Sequence, residues 1–456
     1  MNYEDLLKNY NNEMIKETME LIKIPSVLDE SKSTKDMPFG ENVDKALKYV
    51  GSLGKKLGFE VDYCDGYATE LTIGSGDKLI GIFAHADVVP AVGEWTSDPF
   101  KPEIRENRLY GRGSSDDKGP LMAALYATKA LFDNGLINNY RVRIVVGGDE
   151  ESGSRCLEHY FHVLNKENPT YGFTPDSDFP LIYGEKAICD FVASININAP
   201  FIQKMEGGLV SNAVIDNFDV YMDKDEEFVD YLNKQNIDYI DNNSYISFKG
   251  KASHGSIPEF GINAALVAFK CLGDFYNIKE LSRLGDYLKD TSGKSFNGYS
   301  HSDLLKDTTY CLGIVRFSDG LLKLTVNFRY NELTNPKEMI SNFDNFFNTK
   351  STYGEEAKYL LFDPKCDLVK TLLKAYRDET NDFSEPITTG GGTYAKHAPN
   401  TVAFGALFPG RISTMHEKDE YMPLEDIYES AVIYAHAIKL LGDLWELSLN
   451  NGQLII

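Results

Sequence analysis

Apolar runs that end abruptly in histidine, acid or glycine alternate with helical periodicity up to about residue 185, and this alternation restricts the fold most. The run LIGIFAHADVV (79–89) breaks from apolar into polar residues, as a buried strand and the loop at its end do. In DDKGPLMAALYATKALF (116–132), Leu121, Ala124, Leu125, Thr128, Leu131 and Phe132 recur at helical spacing. YRVRIVVGG (140–148) reads as another strand and SRCLEHYFHVL (154–164) as another helix. Strand–helix–strand–helix order predicts an α/β fold: a mostly parallel sheet with helices on both faces. Ligands of such sheets bind beyond the carboxyl ends of the strands.

The texture changes after residue 186. AICDFVASININA, NSYISFKGKAS and LLKLTVNFRYN alternate apolar and polar residues with period two, as half-exposed antiparallel strands do. GINAALVAFKCLGDFY (261–276) is an amphipathic helix, and MDKDEEFVDYL (222–232) reads as an acidic, solvated helix face. After about 361 the strand TVAFGALF (401–408) and the helix LEDIYESAVIYAHAIKLL (424–441) resume the first pattern. The expected organisation is a smaller α+β domain, 187–360, inserted into a larger α/β domain made of 1–186 and 361–456. A chain of 456 residues is too long for one ordinary core, which fits two domains.

Bulk charge narrows the partners. Forty-six basic residues against 69 acidic give a net charge of −23, which repels nucleic acid and anionic membranes. No apolar run approaches the roughly 18 residues of a membrane span. The start, MNYEDLLKNYNNEMIKETMELIKIPS, is an acid-containing amphipathic helix without the features of a signal peptide, so a cytoplasmic location is expected. Six scattered cysteines with no CxxC spacing suit buried, reduced thiols.

The turns at the strand ends carry the chemistry. His85 and Asp87 stand one residue apart in HAD, and alternation would send both side chains the same way. Asp116 and Asp117 open a helix after the glycine-flanked turn YGRGSS. VVGGDEESGS (145–154) sets three acids in a row, Asp149, Glu150 and Glu151, after two glycines. TPDSDFP adds Asp176 and Asp178, and STMHEKDEY adds His416. Adjacent buried carboxylates are costly unless something cationic sits among them. Mixed imidazole and carboxylate ligands suit zinc, manganese or cobalt. Two ions about 3.5–4 Å apart, bridged by one carboxylate, would neutralise the acids and clamp a hydrolytic transition state, leaving one Glu to handle protons.

Read singly, Asp116 and Asp117 serve as well for an N-cap, and Glu150 and Glu151 as first-turn helix acids. Four such turns at strand ends, in a chain with eight histidines, favour the metal reading. His159 and His162 lie mid-helix among Tyr, Phe and Leu, and His301, His397 and His436 have no partner motif; these read as structural.

HADVVP…W…DPF, YGRGSSDDKGP, GGDEESGS and TPDSDFP together resemble the dinuclear zinc peptidase and deacylase family of aminoacylase, succinyl-diaminopimelate desuccinylase and carnosinase. DDKGP, DEESGS, PDSDFP, GEKA and TTGGGTYAK look most like its peptidase V branch of bacterial dipeptidases. The resemblance implies that His85 and Glu151 or Asp176 hold one metal each, with His416 completing the ligands of the second metal and Asp116 bridging. It implies a cis peptide between Asp116 and Asp117. Asp87 would orient His85, and Glu150 would be the general base. The inserted domain would then be a lid. Its His254, in KASHGSIPEFG, would stabilise the oxyanion. Asn212 and Arg329 would bind substrate oxygens and carboxylate. Gly391, in the run 389–396, would lend backbone amides beside that carboxylate.

The expected function is a metal-dependent dipeptidase with two divalent ions, Zn2+ foremost and Mn2+ or Co2+ serving the same ligands. Its partner is a small peptide with a free carboxylate, and the enzyme is a monomer or homodimer. A deacylase of N-acyl-amino acids or succinyl-diamines on the same scaffold is the alternative.

Overall fold

Side chains in a sheet covered on one face alternate in exposure, but those of the strands Lys78–His85 and Tyr140–Gly147 do not. Every residue from Leu79 to His85 and from Val142 to Gly147 is buried, so both faces of this sheet are covered. A computed structural model describes residues 1–444 of the chain. In it the strands Tyr140–Gly147, Lys78–His85, Tyr171–Thr174 and Thr401–Ala403 lie side by side in that order, and all are parallel. Antiparallel strands flank them: Ala68–Gly74 and then Glu60–Asp62 on one side, Ile182–Glu185 on the other. The α/β class with a parallel centre is therefore present, and its rims are antiparallel.

The helix Lys118–Asp133 is buried on nearly every side, as suits a helix between a sheet and the helix Leu424–Asp443. Three segments differ from their sequence-based reading. The N-terminal stretch forms two helices, Tyr3–Leu7 and Asn11–Ile22. The segment 154–164 is one α-turn, Arg155–Glu158, running into a π-turn, His159–Val163. The run 401–408 splits into Thr401–Ala403 and Ala406–Leu407, which join different sheets. A cis peptide stands between Gly405 and Ala406.

The chain divides into two units. The first comprises Met1–Gly184, Leu360–Ile387 and the described residues from Thr393 onward; the second comprises Glu185–Tyr359 and Thr388–Gly392. The second is built on an eight-stranded antiparallel sheet whose strands run in the order Tyr239–Asp241, Tyr245–Lys249, Asn217–Met222, Ile202–Gly207, Thr309–Ser318, Leu321–Tyr330, Ala187–Asn196 and Lys350–Ala357. Strict alternation in Ala187–Asn196 buries Ala187, Cys189, Phe191, Ala193 and Ile195 in one core with residues of the helices Ala264–Phe275, Lys279–Tyr287 and Pro336–Phe347. Among the described residues no helix is long and apolar enough to cross a membrane. Five of the six cysteines are buried and Cys366 is half-buried.

Candidate metal centre

His85, Glu150, Glu151 and Asp176 stand where strands have just ended, whereas Asp116, Asp117 and His416 lie in turns between elements. His85 is the last residue of its strand, and Asp87 follows in the loop. The strand stops before Asp87, so the turn rather than alternation brings the pair together: His85 Nδ1 lies 3.0 Å from the Asp87 carbonyl and 3.4 Å from its Oδ1. The Asp87 carboxylate has a further task that HxD spacing does not announce. Its Oδ1 accepts the Glu150 N–H at 3.2 Å and its Oδ2 accepts the Glu151 N–H at 3.1 Å, which fixes the backbone of both glutamates.

The turn before the helix Lys118–Asp133 presents Asp116 and Asp117, and the peptide between them is cis. Asp117 precedes the helix but its side chain makes no capping bond. Instead Asp117 Oδ2 accepts the His85 N–H at 3.1 Å, and its Oδ1 is buried without a hydrogen-bond partner among the described residues.

Asp116 offers one oxygen to each of two groups. Its Oδ1 lies 2.9 Å from His85 Nε2, which is itself 3.7 Å from Asp176 Oδ2. Its Oδ2 lies 2.9 Å from His416 Nε2, which is 3.0 Å from Glu151 Oε2. His85, Asp116 and Asp176 thus form one set of donor atoms and Asp116, Glu151 and His416 another, each set within 4.8 Å. Asp176 stands in the His85 group and Glu151 in the His416 group, a division the sequence left open. Glu150 belongs to neither set, though its neighbour does.

Electrostatics set these carboxylates against one another. Burial, then the charge of Asp176, drives Glu150 well above the usual carboxylate range. Burial, then Asp116, pushes Asp176 up to about 7 and raises Glu151. Asp117 is raised by burial and then by Asp176. Burial would depress His416, but the charge of Glu151 and its bond to Asp116 outweigh this and push it up to about 12. His85 is raised because its bonds to Asp116 and Asp87 outweigh burial, and Asp116 is lowered because bonds from His416 and His85 outweigh burial. Five acids share two imidazoles, and an orphaned carboxylate oxygen lies among them. Such a donor set fits divalent cations of the zinc or manganese kind.

Asp149 departs from the sequence reading, which placed all three consecutive acids around the metals. Its carboxylate is taken up by Arg155: Nε donates to Oδ2 at 2.7 Å and Nη2 to Oδ1 at 2.9 Å. An arginine six residues downstream was the available signal. Sequence reasoning also missed Tyr394, whose ring stands edge-on 6.1 Å from the His85 ring and whose hydroxyl meets Cys156 Sγ at 2.9 Å. Arg112 and Glu420 were missed as well, and they form a buried ion pair at 2.7 Å.

The remaining sequence candidates lie in the second unit. His254 is exposed and its Nδ1 meets Ser256 Oγ at 2.6 Å. Asn212 is exposed, and its carbonyl accepts the Gly255 N–H at 2.7 Å. Arg329 is only 3% exposed. Its Nη1 donates to the Gly390 carbonyl at 2.6 Å and its Nε to Asn327 Oδ1 at 2.8 Å. Gly391 donates its N–H to Thr389 Oγ1 at 3.1 Å. A Cβ on Gly390 would stand 3.1 Å from that of Ser256, so the 388–392 tract, Arg329 and the 254–256 turn are neighbours.

The model of peptidase family M20/M25/M40 matches residues 81–440. "Putative dipeptidase YtjP" of Bacillus subtilis (strain 168) is 36% identical over 464 residues, spanning 96% of this chain and 99% of that protein. A "Putative dipeptidase" of Staphylococcus epidermidis is 33% identical over 467 residues, spanning 96% and 98%. Among solved structures, human carnosine dipeptidase 1 is similar in fold, with a TM-score of 0.62 at 15% identity over 97% of this chain and 98% of its own. The chain therefore belongs to peptidase family M20/M25/M40 and is a hydrolase of the metallopeptidase kind.

Proposed function

We propose that this enzyme is a metal-dependent dipeptidase that hydrolyses short peptides bearing a free carboxylate. The observation that carries the reading is Asp116, one oxygen in each of two His/carboxylate sets, with Glu150 beside both and part of neither. His85 and Asp176 would hold one divalent ion, Glu151 and His416 a second, and Asp116 both. Two such ions supply Lewis acidity and neutralise charge developing on the substrate.

The chain's own residues do the rest. Glu150 takes a proton from the attacking water and delivers it to the leaving amine, the work of a carboxyl group held above its ordinary range. Asp87 aims it, through the backbone N–H groups of Glu150 and Glu151. His254 steadies the oxyanion. Arg329, Asn212 and the amides around Gly391 hold the substrate's carboxylate, for which a guanidinium fork is well suited. Zn2+ is the foremost ion and Mn2+ or Co2+ can take its place. The same proposal places the enzyme in the cytoplasm, with small peptides rather than macromolecules as partners.

The test is a panel of Ala-Ala, Ala-Ala-Ala, N-acetyl-Ala-Ala and N-acetyl-Ala, offered to protein stripped with chelator and reloaded with Zn2+ or Mn2+. Metal-restored cleavage of the free dipeptide is expected. Cleavage confined to the acetylated compounds would make the protein a deacylase instead.

A further inference from the structure

Asp116 and His416 stand 300 positions apart in the chain, yet their donor atoms meet at 2.9 Å. Neither sits on a regular element: Asp116 lies in a turn, and His416 lies in an irregular loop with a left-handed backbone, φ 63°. Something must set their spacing: Glu420, four residues after His416, bonds the Asp116 turn through its carboxylate, and Arg112 of that turn reaches back to the His416 carbonyl.

Glu420 is 0% exposed and Arg112 1%. Glu420 Oε2 accepts Arg112 Nη1 at 2.7 Å and the Gly113 N–H at 3.0 Å. Its Oε1 accepts the Ser115 N–H at 2.9 Å, the Ser115 hydroxyl at 3.0 Å and the Asp116 N–H at 3.2 Å. The Glu420 carbonyl also accepts the Gly111 N–H at 3.0 Å. Arg112 Nη2 reaches onward to the carbonyls of His416 at 3.4 Å and Pro90 at 3.5 Å. Glu420 is outside both donor sets, and a second buried acid beside Asp116 is unfavourable in itself. Five donors converge on its carboxylate. A loop that needed only one acceptor for its N–H groups would not call for a charge.

We propose that Glu420, with Arg112, is a positioning residue: it clamps the Gly113–Asp116 turn to the His416 loop and so sets the geometry in which Asp116 and His416 share a metal ion. This rests on the metal reading given above. Replacing one Glu420 oxygen by an amide N–H turns it toward donors on either side, because every donor at both oxygens is already in place.

The experiment compares full-length wild type, Glu420→Gln and Arg112→Lys after chelator stripping. Zn2+ alone is titrated against a chromophoric chelator; kcat and KM for Ala-Ala are measured at saturating Zn2+, and Tm by circular dichroism. Outer partners of metal ligands typically set affinity by about 10–100-fold. Glu420→Gln is expected to weaken one of two Zn2+ sites by at least about tenfold. Its kcat should fall to a similar degree, with KM within about threefold of wild type. Arg112→Lys keeps the charge, loses the reach to His416, and is expected to show a smaller loss of the same kind. If Glu420→Gln does not fold, Arg112→Lys decides by the same readouts. Zn2+ affinity and kcat unchanged, with only Tm lowered, would make the network a loop staple and overturn the proposal. A wild-type protein that takes up no Zn2+ overturns the metal reading and the clamp with it.

Discussion

Asp149, Glu150 and Glu151 are consecutive like charges, and each is handled by a different partner. Arg155 neutralises Asp149, His416 pairs with Glu151, and Glu150 is left high in pKa with only its backbone pinned. Glu150→Gln keeps the shape and removes the proton acceptor. Its kcat is expected to fall by about 10²–10⁴ while bound Zn2+ stays at the wild-type stoichiometry. Retained turnover in that variant would remove Glu150 from the chemistry. His85 and Glu150 could be singled out in the sequence because each follows an apolar strand run, and Asp116 and His416 because each stands in a turn with further acids. Glu420 and Tyr394 were not. Glu420 finds its partners about 300 residues upstream, and in HEKDEY nothing sets it apart from the acid beside it.

At the scale of elements, period-two alternation predicted the second unit's strands but not their ends. In Leu321–Tyr330 the residues Lys323 and Thr325 are on the outward face, as is Arg329 by parity, yet Arg329 is buried. The outward face is covered there by Gly390, 61 residues further on. Alternation says which face a residue takes and is silent on what lies over it. Arg329→Ala is expected to raise KM for Ala-Ala by about 10–100-fold, the size of a lost charge-assisted bond, and to affect the amidated dipeptide much less. Equal losses on both substrates would confine Arg329 to holding the Gly390 carbonyl. In the first unit, the strand Tyr140–Gly147 ends in a glycine because Tyr394 lies over it: a Cβ on Gly147 would stand 2.0 Å from the Tyr394 hydroxyl. Gly147→Ala must displace the ring that packs on His85. It is expected to lower stability by about 1–3 kcal/mol, the usual penalty of overpacking, and to lower kcat as well; urea unfolding and steady-state rates would show both.

For the whole molecule, the strand–helix alternation located the parallel centre of the first sheet, because buried apolar runs and helical spacing are local signals. Assigning residues 388–392 to the second unit depends on contacts made after the chain has returned to the first, and no local pattern encodes that. The same long-range closure governs metal binding. The donors come from residues 85, 116, 151, 176 and 416 in two sets of three that share Asp116, so ions held in both would tie five separate parts of the first unit, and their removal would leave the carboxylates facing one another. An ion bound only by the folded state at about a thousandfold excess over its Kd stabilises by about 4 kcal/mol. The Arg112 guanidinium stands 5.1 Å over the Trp95 ring, beside the Glu420 network, and the second unit's segments contain no tryptophan. In a Trp445→Phe variant, tryptophan fluorescence therefore comes from Trp95 alone and reports on the metal-holding unit. Its thermal transition is expected to move down on treatment with chelator and to return on addition of Zn2+, with Ca2+ failing to restore it because these imidazole donors suit the softer ion. A transition indifferent to both treatments would mean that these acids and imidazoles are held together without an ion, leaving Glu150 no metal beside which to act.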